Sequence, residues 1–194
     1  MPKKPATETR QHILDVARTL MTAKGYTAVG LAEVVAAAGV PKGSFYYYFK
    51  SKEEFGQALL DEYFSEYLGR VDGILRSASP ARERLIAYFE YWSQTQGSVL
   101  PEGKCLVVKL GPEVCDLSED MRGVLERGTS AIVSRLVRCI EQGHADGSIA
   151  ATVQAQATAE GLYQLWLGAS LMAKVTHTTS PFEGAMSCSL KLLN

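Results

Sequence analysis

The chain has 194 residues, 20 Lys and Arg against 21 Asp and Glu, a formal net charge of −1 and 46% hydrophobic content. That length accommodates one medium domain or two small ones, and the composition excludes disordered and fibrous classes. The longest apolar run, Leu165 to Ala173, is about half of what a bilayer span needs. Lys3 and Lys4 lead into Pro5-Ala6-Thr7-Glu8 rather than an apolar stretch, so no signal peptide is expected. Cys105, Cys115, Cys139 and Cys188 are irregularly spaced, which suits a reducing cytoplasm better than a disulfide framework.

A net charge near zero argues against a nucleic-acid partner only while it is taken whole. Residues 1–52 carry eight basic side chains against Glu8, Asp15 and Glu33, a balance of +5. Residues 53–194 keep 12 basic and 18 acidic side chains, or −6. A small basic module joined to a larger acidic one is the footprint of one part that meets phosphate and one that does not. Chance clustering on a solvated face is the bland alternative.

The apolar spacing is helical almost throughout, so the class expected is all-α, about nine helices. From Thr7 as N-cap, Ile13, Leu14, Ala17, Leu20 and Met21 follow a 3.6-residue period that Gly25 ends. Leu31, Val34, Val35 and Ala38 make a short second stripe stopped by Gly39. Pro41 suits the first turn of a third helix reaching about Phe49. Ser51 and Glu54 form a capping box opening a long helix to Leu75, expected to pack on both modules. Ser79-Pro80 starts a helix with Leu85, Phe89 and Trp92, and residues 97–103 read as a loop. A short helix from Lys104 is expected to stop at Gly111-Pro112. Ser118-Glu-Asp opens a helix closing at Gly143, and Gly147-Ser148 is a turn. A long helix from Thr152 to Lys174, a break at 178–181 and a final helix complete the chain. The expected domains are a three-helix head over 1–52 with a helix-turn-helix, and a helical sensor and dimerisation domain over 53–194.

The third helix, Pro41-Lys-Gly-Ser-Phe-Tyr-Tyr-Tyr-Phe-Lys50, is unusual for a packing helix. Phe45 and Phe49 can face a core together, leaving Lys42, Ser44, Tyr47 and Tyr48 to project outward. Hydroxyls, phenols and an ammonium can donate to phosphate oxygens or read base edges, and Gly43 lets backbone approach a duplex. Tyr46 is expected to be half-buried.

The whole stretch from Gly25-Tyr-Thr-Ala-Val-Gly30 through Pro41-Lys-Gly-Ser-Phe-Tyr-Tyr-Tyr-Phe-Lys-Ser-Lys52 resembles the DNA-binding signature of the TetR family of bacterial repressors. The resemblance implies that Thr27 and the amides opening the second helix at Gly30 touch phosphate. It implies that Lys42, Ser44 and Tyr47 read the major groove while Tyr46, Tyr48 and Lys52 grip the backbone. It further implies a homodimer on a palindromic double-stranded operator, with half-sites about one helical turn apart. The last two long helices would form the dimer interface, and Ala155, Ala157, Ala159, Gly161, Gly168 and Ala169 are small enough for close helix contact, whether between chains or within one.

Lys104-Cys-Leu-Val-Val-Lys-Leu-Gly-Pro-Glu-Val-Cys-Asp-Leu-Ser-Glu-Asp-Met-Arg122 and Leu165-Trp-Leu-Gly-Ala-Ser-Leu-Met-Ala-Lys174 resemble the NemR-type, electrophile-responsive repressors of N-ethylmaleimide reductase operons. Independently, Cys105 falls at a predicted helix start beside Lys104 and Lys109, where dipole and cations would lower a thiol pKa. Lys174, on an otherwise apolar helix, either snorkels to solvent or lines a pocket near Cys105, where it could stabilise a thiolate or bond to oxidised sulfur. Cys115 could resolve an oxidised Cys105, Cys139 reads as core, and Cys188 has no context.

Two release mechanisms compete: modification of Cys105, or a non-covalent small molecule in a pocket lined by Tyr88, Phe89, Trp92 and Trp166. A detoxifying enzyme using Cys105 with His177 is a distant third. His12, His144 and His177 have no metal-ligand spacing, and neither a Walker loop nor G-x-G-x-x-G occurs, so no catalytic site, metal or cofactor is expected.

Overall fold

The computed structural model describes residues 6–97 and 105–194, so Lys104 and most of the expected 97–103 loop lie outside the described residues. Among the described residues there are nine helices and no strand: α1 (Ala6–Lys24), α2 (Leu31–Ala37), α3 (Lys42–Tyr48), α4 (Lys52–Leu75), α5 (Ala81–Gly97), α6 (Leu106–Leu117), α7 (Glu119–Asp146), α8 (Ala155–Thr176) and α9 (Ser180–Leu192). The contacts divide the chain into two compact units, Met1–Phe64 with Leu100–Glu126, and Ser65–Val99 with Arg127–Asn194. The α6 segment is therefore grouped with the N-terminal helices.

In the first unit, Ile13, Leu14, Ala17 and Met21 of α1 are buried, as are Val34 and Val35 of α2. Phe45, Phe49 and Phe55 form a ring triad with centroids 4.9–5.2 Å apart. Each is sealed from solvent and contributes about 1.5–3 kcal/mol of burial. Leu106, Leu110 and Val114, spaced four apart, are the buried stripe of α6.

Glycines end the helices where the expected spacing puts them. Gly25 sits at φ +99° and Gly39 at φ +63°. After α2 the amides of Gly39 and Val40 return to the carbonyls of Ala36 and Val35 at 3.1 and 3.0 Å, a Schellman ending that turns the chain into α3. Three local details differ from expectation. Thr7 lies inside α1 rather than capping it. Pro41 is the extended N-cap of α3 rather than its first turn. Ser51 Oγ accepts the Glu54 amide at 3.0 Å, but the Glu54 carboxylate reaches back to the Lys50 amide, one residue beyond a standard box.

α6 does not stop at Gly111-Pro112; it continues to Leu117 with Pro112 inside it. A proline costs a helix interior about 3 kcal/mol, yet three buried aliphatic side chains on one stripe outweigh that.

In the second unit α7 runs past Gly143 to Asp146 and ends before Gly147, which has φ +75°. Gly143 serves packing instead: a Cβ there would meet the Ile149 side chain at 2.6 Å. On either side of that glycine, Asp146 accepts the Ala81 amide at 2.8 Å and Ser148 Oγ accepts that of Arg82 at 3.2 Å, so the end of α7 caps the start of α5. Arg135 of α7 grips Asp72 of α4 through two bonds of 2.7 and 3.1 Å. α8 starts at Ala155, three residues later than expected, and ends at His177 in a left-handed conformation.

Candidate nucleic-acid interface and the Cys105 helix

The short helix α3 is divided between core and solvent as its sequence requires. Phe45 and Phe49 are buried, which turns Lys42, Gly43 and Tyr47 fully outward, with Tyr47 77% exposed. Ser44 is half-buried at the edge of that face, and nothing lies within 4 Å of the position a Gly43 Cβ would take. Tyr46 is 49% exposed, its ring edge-on to Phe45 at 5.6 Å; the half-buried phenol is Tyr48, packed edge-on against Tyr47 at 4.9 Å. The expectation for Tyr46 is thus corrected, because the i, i+4 pair of phenylalanines rotates Tyr46 to the outer side.

α2 opens at Gly30 in an extended conformation without a side-chain cap. Its first amides therefore retain the positive potential that favours an anion at a helix start. Thr27 is exposed in the turn before α2. Its amide donates to Glu113 Oε1 at 2.6 Å and its hydroxyl bonds to the same carboxylate, while the Tyr26 amide donates to Glu113 Oε2 at 3.0 Å. A carboxylate thus engages the turn that carries Thr27, the expected phosphate contact. Lys52 is half-buried; its ammonium donates to the Tyr26 carbonyl at 3.0 Å and lies 4.7 Å from the Tyr26 ring centroid. Burial lowers its pKa, partly opposed by the Glu113 charge. Burial, and after it the charges of Glu53 and Glu113, push the Tyr26 phenol up to about 12.

Cys105 is the N-cap of α6 and only 6% exposed. Burial raises its pKa, outweighing the Val108 and Val107 amides and the Tyr63 side chain, which favour a thiolate. The expected lowering therefore does not occur. The Lys109 ammonium reaches the Ala23 carbonyl at 3.2 Å, at the end of α1. Cys115 lies exposed on the same continuous helix, ten residues on, or about 15 Å along the axis. A disulfide with Cys105 is excluded while α6 is intact, which removes Cys115 as a resolving thiol. Cys139 is buried and donates to the Ala81 carbonyl at 3.5 Å; burial pushes its thiol up to about 11. Cys188 is exposed on α9.

The aromatic quartet expected to line a pocket is instead solid core. Tyr88, Phe89, Trp92 and Trp166 are each at most 2% exposed. Phe89 stacks on Trp166 at 4.9 Å, and the two indole N–H groups donate to Ser170 and Ser189 at 2.8 and 2.9 Å. These close contacts leave no space for a ligand among the four rings. Lys174 is exposed in the last turn of α8, the solvent-facing alternative of its two readings. Among the described residues, no group of His, Cys, Asp and Glu could hold a metal, and no helix is long and apolar enough to cross a membrane.

Glu113 is the functional candidate that sequence reasoning missed. Its place four residues after Lys109 on the Cys105 face was readable, but what that face meets was not.

The profile described as "Bacterial regulatory proteins, tetR family" matches residues 13–59, and that described as "Tetracyclin repressor-like, C-terminal domain" matches residues 81–188. The chain is 38% identical over 191 residues to the HTH-type transcriptional repressor NemR of Escherichia coli strain K12, covering 96% of this chain and 94% of the relative. It is 33% identical over 178 residues to the HTH-type transcriptional repressor DhaR of Mycobacterium sp. strain GP1, covering 91% and 88%. The crystal structure of the reduced form of E. coli NemR superimposes with a TM-score of 0.91 at 36% identity, covering 96% and 97% of the two chains.

Proposed function

This chain belongs to the tetR family of bacterial regulatory proteins, and we propose that it is a dimeric, cytoplasmic repressor released from a palindromic operator when electrophiles or oxidants modify Cys105. The observation that carries DNA binding is α3, where a buried Phe45–Phe49 pair presents Lys42 and Tyr47 to solvent. Lys42, Ser44 and Tyr47 read base edges; Thr27, Tyr46, Tyr48, Lys52 and the amides after Gly30 hold phosphates. Residues 1–52 are the DNA-binding domain and 53–194 the sensing and dimerisation domain. The protein regulates rather than catalyses, in keeping with relatives named as repressors.

Sensing at Cys105 is supported by its position: it caps a helix that belongs to the same compact unit as the head. With a maleimide, the Cys105 thiolate adds to the electron-poor C=C bond. A C–S bond forms, and the carbon next to it takes a proton from solvent in place of the one the thiol lost. The bulkier side chain no longer fits a 6%-exposed site, which biases the protein toward a DNA-free conformation. A non-covalent inducer is the second reading. It is favoured by an open groove between α7 and α8, with Thr129, Val133, Gln156, Glu160 and Tyr163 among its lining.

The experiment is titration of a labelled duplex from upstream of the gene at low salt, before and after treatment with N-ethylmaleimide, with adducts mapped by peptide mass spectrometry. Tight binding lost in step with the Cys105 adduct supports the reading. A Cys105→Ser protein that still releases DNA on treatment refutes the cysteine mechanism, and failure to bind the duplex at all refutes the repressor.

A further inference from the structure

The turn between α1 and α2 is held from outside the head by two side chains of α6. Glu113 accepts the Tyr26 and Thr27 amides, at 3.0 and 2.6 Å, and also bonds the Thr27 hydroxyl. One turn earlier on α6, Lys109 donates to the Ala23 carbonyl at 3.2 Å. A cation therefore meets the carbonyl end of α1 and an anion meets the amides that follow it, each the charge that end of the chain prefers. From the other side, Lys52 donates to the Tyr26 carbonyl at 3.0 Å and the Tyr26 hydroxyl donates to the Lys52 carbonyl at 2.7 Å. Gly25 completes the fit: its φ is +99°, and a Cβ there would meet Glu113 Oε2 at 3.2 Å.

Cys105, Lys109 and Glu113 stand four residues apart and so share one face of α6. The Lys109 amide donates to the Cys105 carbonyl at 3.1 Å, tying the thiol-bearing residue into the first turn. A helix over this span behaves as a short rod, so a displacement at Cys105 is carried to both head contacts.

We propose that Glu113, assisted by Lys109, is a positioning residue for operator binding: its carboxylate fixes the α1–α2 turn, and α6 thereby sets the orientation of the reading helix. The proposal rests on the repressor reading above; its link to Cys105 rests in addition on the sensing reading. Glu113 acts through the turn and carries a negative charge, so its effect is distinguishable from that of a phosphate contact. Removing a negative charge from a DNA-binding protein should tighten binding by electrostatics alone. Loss of the clamp does the opposite. A glutamine offers one acceptor oxygen and places an NH2 against a backbone donor, so one of the two amides loses its partner.

The test uses the full-length dimer, the labelled upstream duplex, and the Glu113→Gln and Lys109→Gln variants. Glu113→Gln is expected to bind about tenfold more weakly than wild type, with an unchanged slope of log K against log salt. Lys42→Ala, which removes a phosphate or base donor, is the contrast and should flatten that slope. Thermal melting checks that the variants are folded, and Lys109→Gln, expected to weaken binding in the same direction, supplies a second reading if Glu113→Gln is unstable. Wild-type or tighter binding by folded Glu113→Gln overturns the proposal, as does wild-type binding by Lys109→Gln where Glu113→Gln does not fold. In a second arm, N-ethylmaleimide should weaken wild-type binding at least tenfold but a clamp variant by less than threefold. An equal ratio in both overturns the link between clamp and thiol. A wild-type protein alkylated at Cys105 that keeps its affinity overturns the sensing reading instead, and the first arm still decides the clamp.

Discussion

At Cys105 two electrostatic effects oppose each other, and their balance sets how the thiol behaves. Amides at the start of α6 and the Tyr63 side chain stabilise a thiolate, while burial destabilises it more, so the pKa is raised. At neutral pH the folded protein thus holds mostly thiol. The sign follows: thiolate, the reacting species, increases with pH throughout the range below the raised pKa. Alkylation of Cys105 should accelerate about tenfold per pH unit from pH 7 to 8, read by peptide mass spectrometry. Exposed Cys115 and Cys188 must be followed separately, since access alone lets them react early. A pH-independent rate would mean that opening of the site, not ionisation, controls the chemistry. Tyr47 gives the complementary case on the reading helix. It is 77% exposed, so Tyr47→Phe should leave the melting temperature unchanged and weaken operator binding by about 1–3 kcal/mol if its hydroxyl reads a base.

At the scale of the element, the patterns legible in the sequence were those set by near neighbours. Gly25 and Gly39 end their helices because positive φ is a local demand, and Phe45 with Phe49 faces the core because four residues make one turn. What was not legible depends on partners distant in sequence. Pro112 suggests a stop, yet burial of Leu106, Leu110 and Val114 carries α6 through it. Gly143 looks like a terminator but is a contact point for Ile149. The four aromatics looked like a pocket because their spacing is the same whether they enclose a ligand or one another. Nothing near Thr27 in sequence reveals the carboxylate, 86 residues away, that its amide meets. Two glycines of α4 make the distinction measurable. A Cβ at Gly56 would lie 2.5 Å from the Met121 sulfur and 2.9 Å from the Tyr26 ring, whereas Gly69 has nothing within 4 Å. Gly56→Ala should destabilise by about 1–3 kcal/mol through overpacking. Gly69→Ala should stabilise by up to about 1 kcal/mol through helix propensity. Thermal melts of the two variants should move in opposite directions, and a shared direction would show that the close contacts relax without cost.

For the whole molecule, a +5 head and a −6 remainder mean that a single head is a weak ligand for DNA and that affinity must come from two heads acting on one palindrome. Operator binding then depends on association of the chains, and the exposed apolar side chains indicate where association takes place. Leu171, Met172 and Val175, 48–62% exposed, cluster at the end of α8 around Lys174. Leu192 at the end of α9 is also exposed. Side chains of this size, grouped and open to water, mark a face that another surface covers. A lysine among them is tolerable because its long stem packs with the apolar group while the ammonium stays wet. Val175→Glu places a charge within that group without touching either compact core. It should shift the sedimentation equilibrium from dimer toward monomer and weaken operator binding by at least tenfold at fixed salt. The slope of log K against log salt should fall to about half, because one head contacts half as many phosphates. A Val175→Glu protein that stays dimeric would place the interface on another face, whereas a monomer that keeps full affinity would mean that the two heads do not act together.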